Sequence, residues 1–336
     1  MLLEFQFAKI HLFPTLPKKN VTLHSVFYYM TYNKEQHINN IDHPTIVTVG
    51  MFDGVHTGHQ HILDMLLRTA ATERLTPVVV TFDNHPRLVL GKTDERFHLL
   101  STNEERRQLL ERHGIVNIDW IHFTREEASL SACQFVRQHL LQRLHAKAIV
   151  IGYDNQFGNK QHNDFDQLPD LALKEGFKIF RDTPVLVDGI EVSSTQIRNA
   201  LMSGDLPLAN KMLGTPYAVS GTVSYGRQVG RTLGFPTANI VLDNENKALP
   251  KEGVYAAIVV MADGSEHKGM VNIGPQPTFG QTTPTIEVHI LDCHSDLYGQ
   301  RLTIRFIQRL RDIRQFPSPN ELMVQLQHDM DAVAQM

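Results

Sequence analysis

Two cysteines, Cys133 and Cys293, are all that 336 residues contain, which excludes a disulfide framework and leaves a cysteine-rich zinc module without ligands. A reduced, cytoplasmic setting is the expectation. No apolar run reaches the roughly 20 residues that a spanning helix needs, so no membrane partner is expected. Neither sign of charge dominates: 32 basic and 36 acidic residues leave a net charge of -4, and no polybasic face recommends nucleic acid or an anionic lipid surface. Internal repeats and low-complexity tracts are absent as well. What remains is ample apolar content, 42%, in a chain longer than one core usually supports, hence two domains. Self-association is left open by these numbers.

The densest signal is TVGMFDGVHTGHQHIL, from Thr48 to Leu63. Residues 46–49 are β-branched and bounded by Pro44 and Gly50, as a buried parallel strand is, and residues 60–74 carry Ile62, Leu63, Leu66, Leu67 and Ala70 at helical spacing. The loop between them belongs at the carboxyl edge of a sheet. There Gly50, Gly54 and Gly58 let backbone approach a ligand closely, while His56 and His59, three apart at a helix N-terminus, can face one anion. Ordinary glycines and solvated histidines in a βα turn would give part of this pattern; the preceding G-x-F-D-G and the strand-loop-helix setting favour phosphate. A zinc site needs further ligands, which the two distant cysteines do not supply.

Two grammars divide the chain. From about residue 45 to 204, short apolar runs (78–82, 118–123, 148–151, 177–180) alternate with helical patterns such as 103–112 and 131–145, which predicts an α/β domain with a mostly parallel sheet. Residues 205–213 read as a short helix stopped at Gly214 with Pro216 beyond. Six β-like segments follow (218–225, 238–242, 254–261, 268–273, 285–291, 302–306), predicting a small antiparallel barrel, and an amphipathic helix closes the chain at 319–334. The division is therefore 1–29, an extension of unclear role; 30–204, the α/β domain; 205–215, a connecting helix; and 216–336, the barrel. Residues 1–29 show no periodic core pattern, so a protein beginning at Met30 is expected to melt and turn over unchanged; insolubility or inactivity would refute this.

The barrel half carries GRQVGRTLGFPTANI, Gly226 to Ile240. It lacks the G-x-x-x-x-G-K-[ST] of a P-loop. It offers a glycine-rich loop with Arg231, then the Thr237 hydroxyl and Asn239 amide two residues apart at the entry to a strand, where both can face one phosphate-metal cluster. Alone, this is equally a glycine-rich hairpin.

The first motif, in its form G-x-F-D-G-x-H-x-G-H, resembles the nucleotidylyltransferase signature of bacterial bifunctional riboflavin kinase/FAD synthetases. Similarity continues at TFDNHP (Thr81–Pro86), GYDNQFG (Gly152–Gly158) and VSSTQIR (Val192–Arg198), then in the barrel at GFPTAN, VNIGPQPTF (Val271–Phe279), EVHILD (Glu287–Asp292) and LYG (Leu297–Gly299). Two positions depart from the family pattern: Asn84 stands where a proline is usual and Asn155 where an aromatic is usual. They touch flavin and adenine packing rather than phosphate chemistry.

The resemblance implies ATP-dependent phosphorylation of riboflavin to FMN in the barrel, then adenylylation of FMN to FAD in the α/β domain, using Mg²⁺ with ATP. By it, Glu287 is the base for the ribityl hydroxyl, and Thr237 and Asn239 hold Mg²⁺ and phosphates beside a nucleotide loop of Gly230, Arg231, Gly234 and Pro236. In the other domain His56 and His59 grip the phosphates, with Gly50, Phe52, Asp53, Gly54 and Gly58 forming the loop, and Ser194, Thr195 and Arg198 clamping from the opposite side. Flavin contacts fall to His85, Pro86, Asp154, Phe157, Asn272 and Thr278. Two alternatives stand beside this reading: a nucleotidylyltransferase for another phosphorylated small molecule, and a flavin-binding regulator with degenerate catalysis.

Overall fold

The computed structural model describes residues 43–91, 97–153, 157–159, 162, 164–226, 234–274, 284–293 and 295–336. The extension 1–29 and Asp154, Asn155, Gly230, Arg231 and Thr278 lie outside the described residues.

Strands β1 (Thr45–Val49), β2 (Thr76–Phe82), β3 (Ile118–Ile121), β4 (Ala146–Ile151) and β5 (Lys178–Arg181) pair in parallel in the order β3-β2-β1-β4-β5. Strand β1 is buried along its whole length because both its faces are covered: Ile46 packs with Val79, Ala148 and Val150 on one side, Val47 and Val49 with Val78, Val80 and Ile149 on the other. The chain runs outward from β1 through β2 to β3 and then returns across β1 to β4. That reversal opens a crevice at the carboxyl end of β1, where α/β sheets take their ligands.

Helix α1 (Thr57–Glu73) follows β1, α2 (Pro86–Val89) follows β2, and α3 (Asn103–Arg112) starts at a reciprocal cap between Thr102 and Glu105. The pattern over 131–145 does not form one α-helix. It gives α4 (Ala132–Phe135), continued by a π-helical stretch over Val136–Gln142. The buried residues Val136, Leu140 and Leu144 recur every four positions, and a widened turn keeps that spacing on the sheet-facing side. Helix α5 (Leu168–Glu175) covers the sheet's β5 end. Strands β6 (Leu186–Val187) and β7 (Ile190–Glu191) form a small hairpin not read from the sequence, turning at Asp188 and Gly189, both at positive φ.

Helices α6 (Ser194–Ser203) and α7 (Leu206–Leu213) end on left-handed Gly204 and Gly214 and lead into the second half. Strands β8 (Ala218–Ser224), β9 (Ala238–Leu242), β10 (Gly253–Val260), β11 (Glu266–Gly274), β12 (Thr285–Ile290) and β13 (Arg301–Arg311) close a barrel in the order β10-β11-β12-β9-β8-β13. Helix α8 (Pro319–Ala334) lies on its outside, where Val333 packs against Val254, Ala256 and Met270. A single apolar cluster fills the barrel with Val219, Val271, Ile286, Val288 and Phe306, and it continues through Ile197, Leu201, Leu206 and Met212 of α6 and α7 as far as Leu100.

Candidate active sites

The chain leaves β1 through a loop held in costly backbone conformations. Phe52 (φ 49°), Gly54 (φ 80°) and Val55 (φ 40°) are all left-handed, a conformation disfavoured for a β-branched residue and sustained only when the surroundings over-determine it. Asp53 does much of that. Its buried carboxylate accepts from the Leu100 amide (3.1 Å) and from the Ser101 amide (2.9 Å) and hydroxyl (3.1 Å), and it pairs with the Arg198 guanidinium. Ser101 Oγ in turn accepts from Gly54 N–H at 2.8 Å, and Ser194 Oγ donates to the Asp53 carbonyl at 3.1 Å. Arg198 also donates through Nε to the His98 carbonyl (2.5 Å) and lies over the Phe97 ring. Asp53 and Arg198 are thus committed to each other and to the loop, while Thr195, on the first turn of α6, is exposed.

His56 is the N-cap of α1: its Nδ1 accepts from the His59 amide at 3.3 Å, which leaves the ring proton on Nε2. The two imidazoles stack with centroids 3.6 Å apart, and His59 also meets the Phe52 ring at 5.0 Å. A Cβ on Gly58 would sit 3.3 Å from the His56 ring, so glycine is what lets that ring lie flat against the helix start. His59 Nδ1 is buried and has no hydrogen-bond partner among the described residues. Burial holds His56 down at about 4 against the partial pull of Asp53, and it lowers His59 as well, aided by His56 and Arg106. Both are neutral at pH 7, so they meet an anion as N–H donors rather than as cations.

Around this pair a cavity of about 380 Å³ gathers Gly50, Phe52, Asp53, Gly58, His85, Ser194, Thr195 and Arg198. His85 caps α2, stacks edge-on against Phe97, and is lowered by burial to about 4. Pro86 is the first residue of α2. Phe157 sits elsewhere, packed between Phe135 and Phe165. Asn84 is spent on structure: its amide exchanges two hydrogen bonds with the backbone of Phe123, at 2.8 and 2.9 Å. Tyr153, from the GYDNQFG motif, also lines the cavity, as do Asp182, Thr183 and Val185, which no motif singled out. Arg106, equally unsignalled, is buried beneath it and donates to the carbonyls of Met51 and Phe82 at the ends of β1 and β2, both at 2.7 Å.

The lowered histidines set a pH dependence. An unfolded chain protonates them near 6.5, whereas folded His56 and His85 wait until about 4, so the unfolded state holds more protons between those values. Stability is therefore expected to fall as pH drops from about 6.5 to about 4. In urea melts across that window, His56→Asn, which retains a capping acceptor, should show a shallower decline; an unchanged slope would assign the titration to other groups.

In the barrel, register builds the second constellation. Ser224 pairs with Asn239, Asn239 with Glu287, and Glu287 with Asn272, so one row crosses β8, β9, β12 and β11. Ile286 and Val288 are in the barrel core, which turns Glu287 and its row to the outer, half-buried face. Thr237, two before Asn239 and also half-buried, continues that side. His289, not proposed from the sequence, donates Nδ1–H to the Pro236 carbonyl at 2.8 Å and meets the Phe235 ring, anchoring the segment that carries Gly234, Pro236 and Thr237. Gly226 explains itself here: a Cβ would lie 1.9 Å from Asn239 Nδ2. Gly226→Ala is expected to displace that amide and cut riboflavin phosphorylation at least tenfold with FMN adenylylation retained, read by separate assays of the two products; undiminished phosphorylation would remove Asn239 from the site.

Similarity to known proteins follows the same division. The FAD synthetase family model matches residues 38–196 and the riboflavin kinase model residues 213–336. A bifunctional riboflavin kinase/FMN adenylyltransferase of Buchnera aphidicola is 33% identical over 295 residues, 87% of this chain and 93% of that one. Its Haemophilus influenzae counterpart is 35% identical over 286 residues, 85% and 92% of the two chains. A crystal structure described as a macrolide-efflux protein from Streptococcus pneumoniae has the same fold, with a TM-score of 0.80 and 30% identity over 88% of this chain and 96% of that one. No helix among the described residues here is long and apolar enough to cross a membrane. With both models in order along the chain and relatives matched over nearly their whole length, the chain belongs to the family of bifunctional riboflavin kinase/FMN adenylyltransferases.

Proposed function

We propose that this cytoplasmic enzyme divides its two reactions between the two clefts, with riboflavin phosphorylated on the outer face of the barrel and FMN adenylylated at the carboxyl edge of the parallel sheet. In the barrel, Glu287 accepts the proton of the terminal ribityl hydroxyl as that oxygen attacks the γ-phosphorus of ATP, releasing ADP. Asn239 and Asn272 flank Glu287 on the neighbouring strands, close enough to orient the hydroxyl and the phosphates. Thr237 and Asn239 offer a hydroxyl and an amide oxygen two residues apart at the entry to β9, a donor set suited to a hard cation. With Mg²⁺ held by Thr237 and Asn239, the site would gain positive charge against the transferring phosphoryl group.

In the α/β domain the FMN phosphate, already anionic, attacks the α-phosphorus of ATP and expels pyrophosphate. The chemistry asks for charge stabilisation rather than a strong base. His56 and His59 supply neutral N–H donors beside the positive end of α1, and the loop backbone approaches closely at Gly50 and Gly58. Arg198, paired with Asp53 and lining the cavity, and Ser194 and Thr195 at the start of α6 are assigned to the departing phosphates.

The observation that carries this reading is the pair of stacked, uncharged histidines facing a cavity at the switch point of the sheet. Its test is direct. Purified protein given riboflavin, ATP and Mg²⁺ should yield FMN and then FAD by chromatography, and chelation of Mg²⁺ should stop both; failure to use FMN as the adenylyl acceptor would sink it.

A further inference from the structure

Lys247 belongs to the barrel half, in the segment between β9 and β10, yet its ammonium is turned toward the other domain. The side chain is 4% exposed; Nζ donates to the Leu100 carbonyl and to Glu105 Oε2, each at 2.6 Å, and stands 5.0 Å from the centroid of the Tyr217 ring. The backbone repeats the link. Leu99 N–H donates to the Asn246 carbonyl (2.7 Å) and Ala248 N–H to the Leu99 carbonyl (2.8 Å), a parallel bridge between Leu99 and Lys247 that joins the halves. A cleft of about 560 Å³, lined by Gly54, Ser101, Tyr217 and Lys247 among others, opens beside it, so these directed bonds add to the packing of Leu100 and Ala248 in the shared core.

The segment that Lys247 holds is the one that Asp53 grips. Leu100, whose carbonyl accepts from the Lys247 ammonium, donates its amide N–H to Asp53; Ser101, next in line, binds both Asp53 and Gly54. Removing an ammonium from water is costly, and an apolar side chain of similar length would fill the same volume without that cost. The cation therefore serves geometry. We infer that Lys247 is a positioning residue for FMN adenylylation: from the barrel domain it fixes residues 99–101, and through Asp53 it fixes the strained loop that presents His56 and His59. This rests on the reading that His56 and His59 mark the adenylylation site.

The test uses the full-length protein. Lys247→Met strands the Glu105 carboxylate, so the double variant Lys247→Met/Glu105→Gln accompanies it, the glutamine retaining an acceptor for the Thr102 amide. Both are assayed well below their own melting temperatures. The expected result is a loss of roughly tenfold or more in kcat for FMN adenylylation with the KM for FMN nearly unchanged, while riboflavin phosphorylation, in the domain that carries the substitution, stays within about twofold of the parent. Adenylylation at the parental rate, or equal losses in both reactions, would overturn the inference. His59→Ala runs in parallel: if it leaves adenylylation intact the site itself is misassigned, and if it abolishes adenylylation while both Lys247 variants do not, only the role of Lys247 falls.

Discussion

Glu287→Gln is expected to abolish FMN formation from riboflavin while FAD continues to form from supplied FMN. The substitution conserves volume and leaves Ile286 and Val288 in the barrel core, so the strand and its register persist. What it removes is the ability to accept a proton. A general base contributes roughly a hundredfold to ten-thousandfold, and the amide between Asn239 and Asn272 offers no replacement. Both products are followed at saturating Mg²⁺ with circular dichroism to verify folding. Riboflavin phosphorylation within tenfold of the parent would assign the base elsewhere.

The second large effect is the converse. His59→Ala is expected to let FMN accumulate and to slow FAD formation by roughly a hundredfold or more, the consequence of withdrawing a preorganised phosphate donor of about 3 kcal/mol. The ring removed is stacked on His56 and tilted against Phe52, so its loss also strips a packing face from the His56 imidazole, which keeps its cap bond to the residue 59 amide, and the combined effect should exceed that of one hydrogen bond. His59→Gln, which restores an N–H donor without the stacking face, should recover part of the rate. If either Glu287→Gln or His59→Ala stops both reactions in a folded protein, the chain has one shared site rather than two.

Local pattern carried far in this chain because each half obeys a single rule of burial. The β1–α1 unit is legible from β-branched residues between Pro44 and Gly50 followed by a 3.6-residue stripe, and helix 103–112 from its helical pattern. Six barrel strands could be counted because turn residues punctuate them at even intervals. Illegible were features set by contacts distant in sequence. Nothing near Asp53 announces Ser101, 48 residues on, and nothing near Lys247 announces Leu100, 147 residues back. The π-helical stretch over Val136–Gln142 escaped because its four-residue spacing sits close to that of an α-helix. The cavity wall at Asp182, Thr183 and Val185 escaped because irregular backbone carries no period. His289 was within reach: it lies two residues past Glu287, hence on the same face of β12, where a partner for the Pro236 carbonyl was to be sought.

The cluster that runs from the barrel interior through α6 and α7 has a consequence for how such chains exchange parts. A crossover between two relatives placed within residues 192–217 would divide Ile197 and Leu201 from Leu206, Met212 and Tyr217, side chains that now interlock in one core. Placed just before 192, the crossover separates Asp53 from the Arg198 and Ser194 that bind it. Either splice joins surfaces shaped by different histories, with cavities or overlaps costing roughly 1–5 kcal/mol at each mismatched large side chain. Ser194 to Leu213 therefore behaves as heritable mortar: whichever parent contributes it, the other parent's half must have drifted little at the faces that meet it.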